Sequence, residues 1–171
     1  NLEFHLRDSE EAGDKVKIFD YVKSNISNWC NKDDIFSLGL PTCPFRDENH
    51  INDAVNLYLK HDKSVFSACE YNFHVPFAFS IKDDISKDWE CLTNDSPLIT
   101  GNTRSQDQKK YYHPNGGIYI IKADELINKN IKTFYERSIP YIMSKSDSVD
   151  IDTEKDLHIA KAYFDIKNKK L

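Results

Sequence analysis

Asp147, Asp150 and Asp152 crowd one short link in the stretch YIMSKSDSVDIDTEKDLHIAKAYF, between an apolar strand-like run and an amphipathic helix. Carboxylates this dense repel one another, so either a cation sits among them or they serve as the acidic start of a helix. In an extended chain residues two apart share a face, which puts Asp150 and Asp152 on one side with Cα atoms roughly 6.5 Å apart. Both side chains then reach one divalent ion or its water shell. The competing reading is purely structural: Asp152 or Thr153 caps the helix, and Asp156 supplies a weak capping box. Position adds weight to the metal, because ligands gather at the carboxyl ends of strands in parallel α/β sheets.

Other loops offer fewer reactive groups. PTCPFRDEN follows a strand and carries Thr42, whose hydroxyl either faces a ligand or sits in a proline-stiffened turn. YYHPNGGIYI leads into a strand, and its Gly116 and Gly117 either allow close backbone approach to a ligand or relieve a turn. Neither G-x-x-x-x-G-K nor G-x-G-x-x-G occurs, and no Ser/His/Asp or Cys/His arrangement stands out. The histidines are scattered, with His113 alone beside a promising loop and His74 and His158 read as packing or surface residues.

The elements that must position these groups follow from periodicity. Val16, Phe19, Val22, Ile26 and Trp29 recur at helical spacing and predict a helix from Asp14 to Trp29. Ile35 to Leu40 reads as a buried strand ended by Pro41, NHINDAVNLYLKHD as a second helix and SVFSACEY as a second buried strand. GGIYIIKADEL reads as a strand entering a helix. A further helical segment is expected near Ile131 to Arg137, ahead of the strand IPYIMSK. The last helix spans about Thr153 to Lys167, with Leu157, Ala160 and Phe164 on one face. This alternation predicts an α/β domain with parallel crossovers. Between Asn72 and Tyr112 only FAFSIKDD resembles a strand, and so long an irregular stretch points to an insertion or a functional loop.

With 171 residues, 39% hydrophobic and 12% aromatic, one globular domain is expected. A net charge of −5 argues against nucleic acid or an anionic membrane as the main partner, and no apolar run is long enough to span a bilayer. Cys30, Cys43, Cys69 and Cys91 lack metal-site or redox spacing, which fits reduced thiols in a cytoplasmic protein. The start at Asn1 reads as that of a fragment.

Several segments, in order, resemble the acylneuraminate cytidylyltransferases, the CMP-sialic acid synthetases. LGLPTCPFR is similar to that family's L-L-Q-P-T-S-P-L-R, and SVFSACE to its S-x-x-S-A-x-E strand. TRSQDQKKYYHPNGGIYI resembles R-R-Q-D-x-P-x-x-Y-x-x-N-G-A-I-Y, and YIMSKSDSVDIDTEKDLHIA resembles Y-x-M-x-x-x-x-S-x-D-I-D-T-x-x-D-x-x-x-A. HLRDSEEAGD matches the family's opening segment loosely, with Arg7 and Asp14 in register.

The resemblance implies a Rossmann-like, mostly parallel sheet flanked by helices, of the nucleotide-diphospho-sugar transferase type. It implies coupling of CTP to a nine-carbon nonulosonic acid, giving CMP-sugar and pyrophosphate, with Mg²⁺ as cofactor. Asp150 and Asp152 are then the metal ligands. Arg7, Thr42, Arg104, Gln106, His113, Asn115 and Tyr119 are the substrate-binding positions. Residues 77–112 become a dimerisation insertion in a homodimer. The family's opening strand and basic glycine loop have no counterpart here, so the fragment alone is expected to be inactive. Departures cluster where the family would face the sugar. Leu40 replaces a Gln, Ala78 a Lys, Ser105 an Arg and His113 another Arg, which suggests a different nonulosonic acid, such as a legionaminic or pseudaminic relative, or weakened function. With Ala78 and Ser105 uncharged, Arg104 with help from Asn115 is expected to take the sugar carboxylate. A non-catalytic homologue acting as a binding or assembly module is the alternative. Activation of the shorter acid Kdo by related synthetases is disfavoured by N-G-x-I-Y together with D-I-D-T.

Overall fold

Phe19, Val22 and Ile26 recur at helical spacing and are buried along one side of the first helix, α1 (Ile18–Trp29). The computed structural model describes residues 3–13, 15–83 and 85–169. The helix starts later than its apolar period suggests, because Lys17 is extended at φ −71° and ψ 138°. Asp14 lies outside the described residues. The chain continues through β1 (Ile35–Leu38), α2 (Glu48–His61), β2 (Val65–Glu70), β3 (Phe79–Ile81), β4 (Trp89–Cys91) and α3 (Pro97–Thr100). It then forms β5 (Tyr112–Lys122), α4 (Ala123–Ile127), β6 (Ile139–Ile142) and α5 (Glu154–Asn168). Residues group into two compact units, the first of 1–41, 46–67 and 116–141, the second of 42–45, 68–115 and 142–171.

A sheet of strand order β1-β5-β2-β6 organises the first unit. Central β5 is buried at every residue from Gly117 to Ile121, so both of its faces are covered there. One face carries the main core: Phe19, Val22 and Ile26 of α1 pack with Tyr119, Ile121, Leu126, Ile131 and Phe134. The rings of Phe19 and Tyr119 lie 4.9 and 4.8 Å from that of Phe134. Each fully buried aliphatic side chain here contributes about 1.5–3 kcal/mol.

The sheet is mixed rather than mostly parallel. β1 runs antiparallel to β5, with Ile35 opposite Lys122 and Leu38 opposite Tyr119. β6 runs parallel to β2, since Ile139 N–H donates to Ser64 O and Met143 N–H to Ala68 O in rising register. β5 runs back along β2, since Ile118 N–H donates to Ser67 Oγ and Tyr71 N–H to Tyr111 O in falling register. β1 was expected to be buried but forms the sheet edge, with Ile35 exposed and its strand half-covered at most. The helix expected near Ile131 to Arg137 is a series of turns ending at Arg137, whose φ of 60° no helix interior accommodates.

One glycine in this unit is set by backbone geometry, and a second lies against the Arg46 guanidinium. Gly116 sits at φ 70°, a region costly for side-chain-bearing residues, while its carbonyl accepts from Leu40 N–H. A Cβ on Gly39 would fall 2.4 Å from Nη1 of Arg46. That guanidinium donates to Leu40 O at 3.1 Å and Gly117 O at 2.7 Å, tying the turn after β1 to β5. α2 begins on a capping box in which Asp47 accepts from His50 N–H and His50 Nδ1 accepts from Asp47 N–H.

In the second unit, β3 and β4 pair antiparallel, Phe79 opposite Cys91 and Ile81 opposite Trp89. Ser96, fully buried, donates to Pro76 O at 2.7 Å and caps α3, fixing the base of this hairpin. Phe79 and Trp89, with ring centroids 5.4 Å apart, are about half exposed, and Ile99 more so. α5 starts on Thr153, whose hydroxyl accepts from Asp156 N–H while Asp156 Oδ2 accepts from Thr153 N–H. Of its expected apolar face only Ala160 is buried; Leu157 and Phe164 line a shallow groove of about 400 Å³ with Pro44 and Phe45. The four cysteines are thiols, Cys43 and Cys69 buried. Among the described residues no helix is long and apolar enough to cross a membrane.

Candidate ligand-binding cleft

The second unit holds a cleft of about 350 Å³ whose walls include Cys69, Glu70, His113, Lys145, Asp150 and Asp156. Three local devices build it. Ser144 caps a single 3₁₀ turn, Lys145–Asp147, accepting from Asp147 N–H and turning the chain sharply after β6. Ser148 then donates to Ser144 O at 2.7 Å and accepts from Asn115 Nδ2 at 2.8 Å. Finally Ile151 N–H donates to Thr42 O at 3.0 Å, pinning the acidic segment to the Pro-Thr-Cys turn.

These bonds decide where each carboxylate goes. Asp150 is half-buried in the cleft wall, its Oδ1 4.0 Å from Cys43 Sγ. Asp152 is exposed and is not part of that wall. Asp147 pairs with Lys167, whose ammonium also lies 4.6 Å from the Phe45 ring. Asp156 faces the cleft but is committed to the helix cap, and its bonds to Thr153 hold its carboxyl below the usual aspartate range. Of these carboxylates, Asp156 caps the helix and Asp150 opens on the cavity.

On the opposite wall Glu70 ends β2, its carboxylate 3.0 Å from Lys110 Nζ and 3.7 Å from Lys145 Nζ. The hydrogen bond from Lys110 keeps Glu70 ionised to lower pH than an ordinary glutamate. Lys145 also donates to Tyr71 O at 2.9 Å. The His113 ring lies tilted against that of Tyr71, 4.6 Å between centroids, and meets Cys69 Sγ at 3.2 Å.

The other expected substrate positions lie elsewhere. Asn115 is buried beneath the cleft, its amide donating to Ser148 and to Met143 Sδ. Arg104 and Gln106 occupy an exposed turn, where Arg104 Nε lies 3.7 Å from Asp107 and the Gln106 amide oxygen accepts from Arg104 Nη2 at 2.7 Å. Tyr119 is packed in the core of the first unit, its hydroxyl 3.1 Å from that of Tyr135. Arg7 is exposed in that unit, over the Tyr21 ring at 5.1 Å. Glu70 was within reach of sequence reasoning as the last residue of S-x-x-S-A-x-E. Lys145 carries no such signal.

A divalent ion fits the chemistry of this donor set. Mg²⁺ takes hard oxygen ligands and is usually held by one or two carboxylates plus substrate phosphates rather than a full protein cage. Among the described residues no group of three or more His, Cys, Asp or Glu is placed to hold a metal by itself. Asp150, with one carboxylate on the cleft, matches the sparse arrangement.

Comparison with known proteins agrees with these motifs. No family model matches the chain. An N-acylneuraminate cytidylyltransferase of Escherichia coli O18:K1:H7 is 33% identical over 175 residues, taking in 98% of this chain and 38% of that protein. A second, from Streptococcus agalactiae serotype V, is 29% identical over 157 residues, 90% of this chain and 36% of that protein. A CMP-N,N'-diacetyllegionaminic acid synthase of Legionella pneumophila is 29% identical over 140 residues, 77% of this chain and 54% of that protein. The mixed α/β architecture is compatible with a nucleotidyltransferase. Over nearly its whole length the chain is a homologue of the N-acylneuraminate cytidylyltransferases. It spans between about a third and a half of the length of these relatives.

Proposed function

We propose that this chain is the cytidylyltransferase portion of an enzyme that joins CTP to a sialic-like nonulosonic acid. The observation that carries the reading is the cleft. Glu70, His113 and Asp150 come from three separate motifs shared in pattern with the cytidylyltransferases, and all three line one cavity. In the reaction the anomeric hydroxyl of the sugar forms a bond to the α-phosphorus of CTP. The bond from that phosphorus to the bridging oxygen breaks, pyrophosphate leaves, and the hydroxyl proton is released.

The chain's own residues would bind and orient. Asp150, with Asp152, would hold Mg²⁺. When bound, the ion neutralises charge on the phosphate oxygens and the departing pyrophosphate. Asn115 acts from below: by holding Ser148 at 2.8 Å it sets the course of the segment that carries Asp150. The Thr42 carbonyl fixes the same segment from the other side through Ile151. The acid cluster therefore has a rigid frame, which is what in-line displacement requires of a protein.

The exposed aromatic hairpin of β3 and β4 belongs to the same proposal as a homodimer face, with residues 77–112 as the insertion that carries it. The cytoplasm, where CTP is made, is the expected location. One observation favours the alternative of a non-catalytic homologue: Arg104 and Tyr119 are not part of the cleft. Pyrophosphate release by the full-length protein with CTP and a panel of nine-carbon α-keto acids separates the two. Mg²⁺-dependent release with any member of the panel supports the enzyme, and binding without release supports the alternative.

A further inference from the structure

We infer that Lys145 is the residue that selects for an acidic sugar, by meeting the carboxylate of the nonulosonic acid in the cleft. This rests on the cytidylyltransferase reading above. The cleft is rich in acid, with Glu70, Asp150 and Asp156 on its walls. A carboxylate ligand entering such a space needs a fixed positive partner, since a desolvated anion without one is strongly disfavoured.

Among the described residues that line the cleft, Lys145 is the basic group with a donor to spare for a ligand oxygen. His113 is the other basic group there, but its Nε2 faces Cys69 Sγ at 3.2 Å and its Nδ1 faces Pro114 O at 3.0 Å. Both of its ring nitrogens are thus already met from within the chain. Asn115 is buried and its amide is turned to Ser148 and Met143. Arg104 lies on an exposed turn, paired with Asp107 and outside the walls.

Lys145 has the geometry the role needs. Its ammonium is aimed by Tyr71 O at 2.9 Å and by Glu70 Oε1 at 3.7 Å, so it is held at the cleft rather than sweeping through solvent. A lysine carries three donors, and the longer of these two contacts is beyond hydrogen-bond range, so a ligand oxygen can be accommodated. Glu70 acts as a positioning residue, itself balanced by Lys110 at 3.0 Å so that it does not cancel Lys145 alone. Lys145 thereby offsets the absence of the family's Lys and Arg at Ala78 and Ser105.

The test is calorimetric titration of the full-length protein with N-acetylneuraminate and with its methyl ester, in the presence of CTP and Mg²⁺, for the unaltered protein, K145M, K145R and R104A. CTP affinity and the melting temperature are recorded for each. Expected is tighter binding of acid than ester by about 10-fold or more, as for a charged hydrogen bond. K145M should weaken the acid to the level of the ester and leave ester and CTP binding alone, while K145R restores part of the preference. Equal binding of acid and ester by the unaltered protein overturns the inference without recourse to any variant. So does loss of acid and ester together in K145M, which marks a structural role, or transfer of the whole effect to R104A. If the unaltered protein binds neither compound and releases no pyrophosphate with any acid sugar, the cytidylyltransferase reading fails first and takes this one with it.

Discussion

The Cys69 thiol lies 3.2 Å from Nε2 of His113, and Nδ1 of the same ring lies 3.0 Å from the Pro114 carbonyl. The thiol and the carbonyl thus contact opposite nitrogens of one imidazole. Burial pushes the Cys69 thiol pKa up, so despite its histidine neighbour it is a protonated thiol at neutral pH, not a thiolate. Alkylation by iodoacetamide at pH 7, followed site by site by mass spectrometry, should be slower at Cys69 than at a cysteine in an unfolded peptide. The rate should climb only as pH passes above the ordinary cysteine range. Rapid labelling at pH 7 would show an activated thiol and contradict the assignment.

In the full-length protein, Asp150→Asn combined with Asp152→Asn should abolish Mg²⁺-dependent pyrophosphate release and leave the melting temperature within about 2 °C, since neither residue makes the helix cap. The single variants separate the two acids. Asp150 faces the cleft and Asp152 does not, so Asp150→Asn is expected to carry the larger loss. Retention of near-normal turnover in the double variant would reduce both acids to surface charge.

Gly39→Ala places a methyl group where Arg46 Nη1 now lies, at 2.4 Å from the new carbon. The guanidinium must then leave Leu40 O or Gly117 O. The expected cost is about 1–3 kcal/mol, as for a buried acceptor losing a charged donor. Urea unfolding of G39A, R46A and the double variant checks this: the two effects should fail to add, because they share one interaction. Simple additivity would mean that Arg46 does not pin the turn.

Thr153→Ala removes half of the α5 capping box and should destabilise the chain by about 1 kcal/mol in urea unfolding near neutral pH. The acid limb supplies the sign. The Thr153 bonds hold Asp156 below its ordinary pKa, and backbone donation from His50 does the same for Asp47. A depressed carboxyl contributes stability that is full above its unfolded pKa and is lost as pH falls through the folded one. Stability should therefore decline from about pH 4 downward. T153A should show a shallower decline, because less of the Asp156 shift remains to be lost; an unchanged slope would remove Asp156 from the account.

Half-exposed Phe79 and Trp89 on the β3–β4 hairpin are expected to be covered by a second copy of the chain. Light scattering at micromolar concentration should report a dimer, and F79S/W89S a folded monomer. A monomeric unaltered protein with native-like spectra would leave this apolar patch without its proposed partner.

Local sequence determined a good part of this protein because the governing interactions are short in range. Phe19, Val22 and Ile26 mark α1 through their spacing alone. Thr153 and Asp156 announce the start of α5 because a capping box closes within one turn. The motif pattern was enough to place the chain among homologues of the cytidylyltransferases. What depends on distant partners was not legible. The direction of β5, the edge position of β1 and the turns from Ile131 to Arg137 follow from strand pairing and from a left-handed residue. The site divided in the same way. Asp150 and His113 could be chosen from motifs, but whether a side chain in those motifs faces a cavity or a core is set by packing. Packing sends Tyr119 into the first unit's core, leaves Arg104 and Asp152 in solvent, and turns Lys145 towards Glu70. Lys145 and Glu70 are far apart in the chain, and only the tertiary structure brings their charges together, because no periodicity or spacing encodes a contact made across the fold.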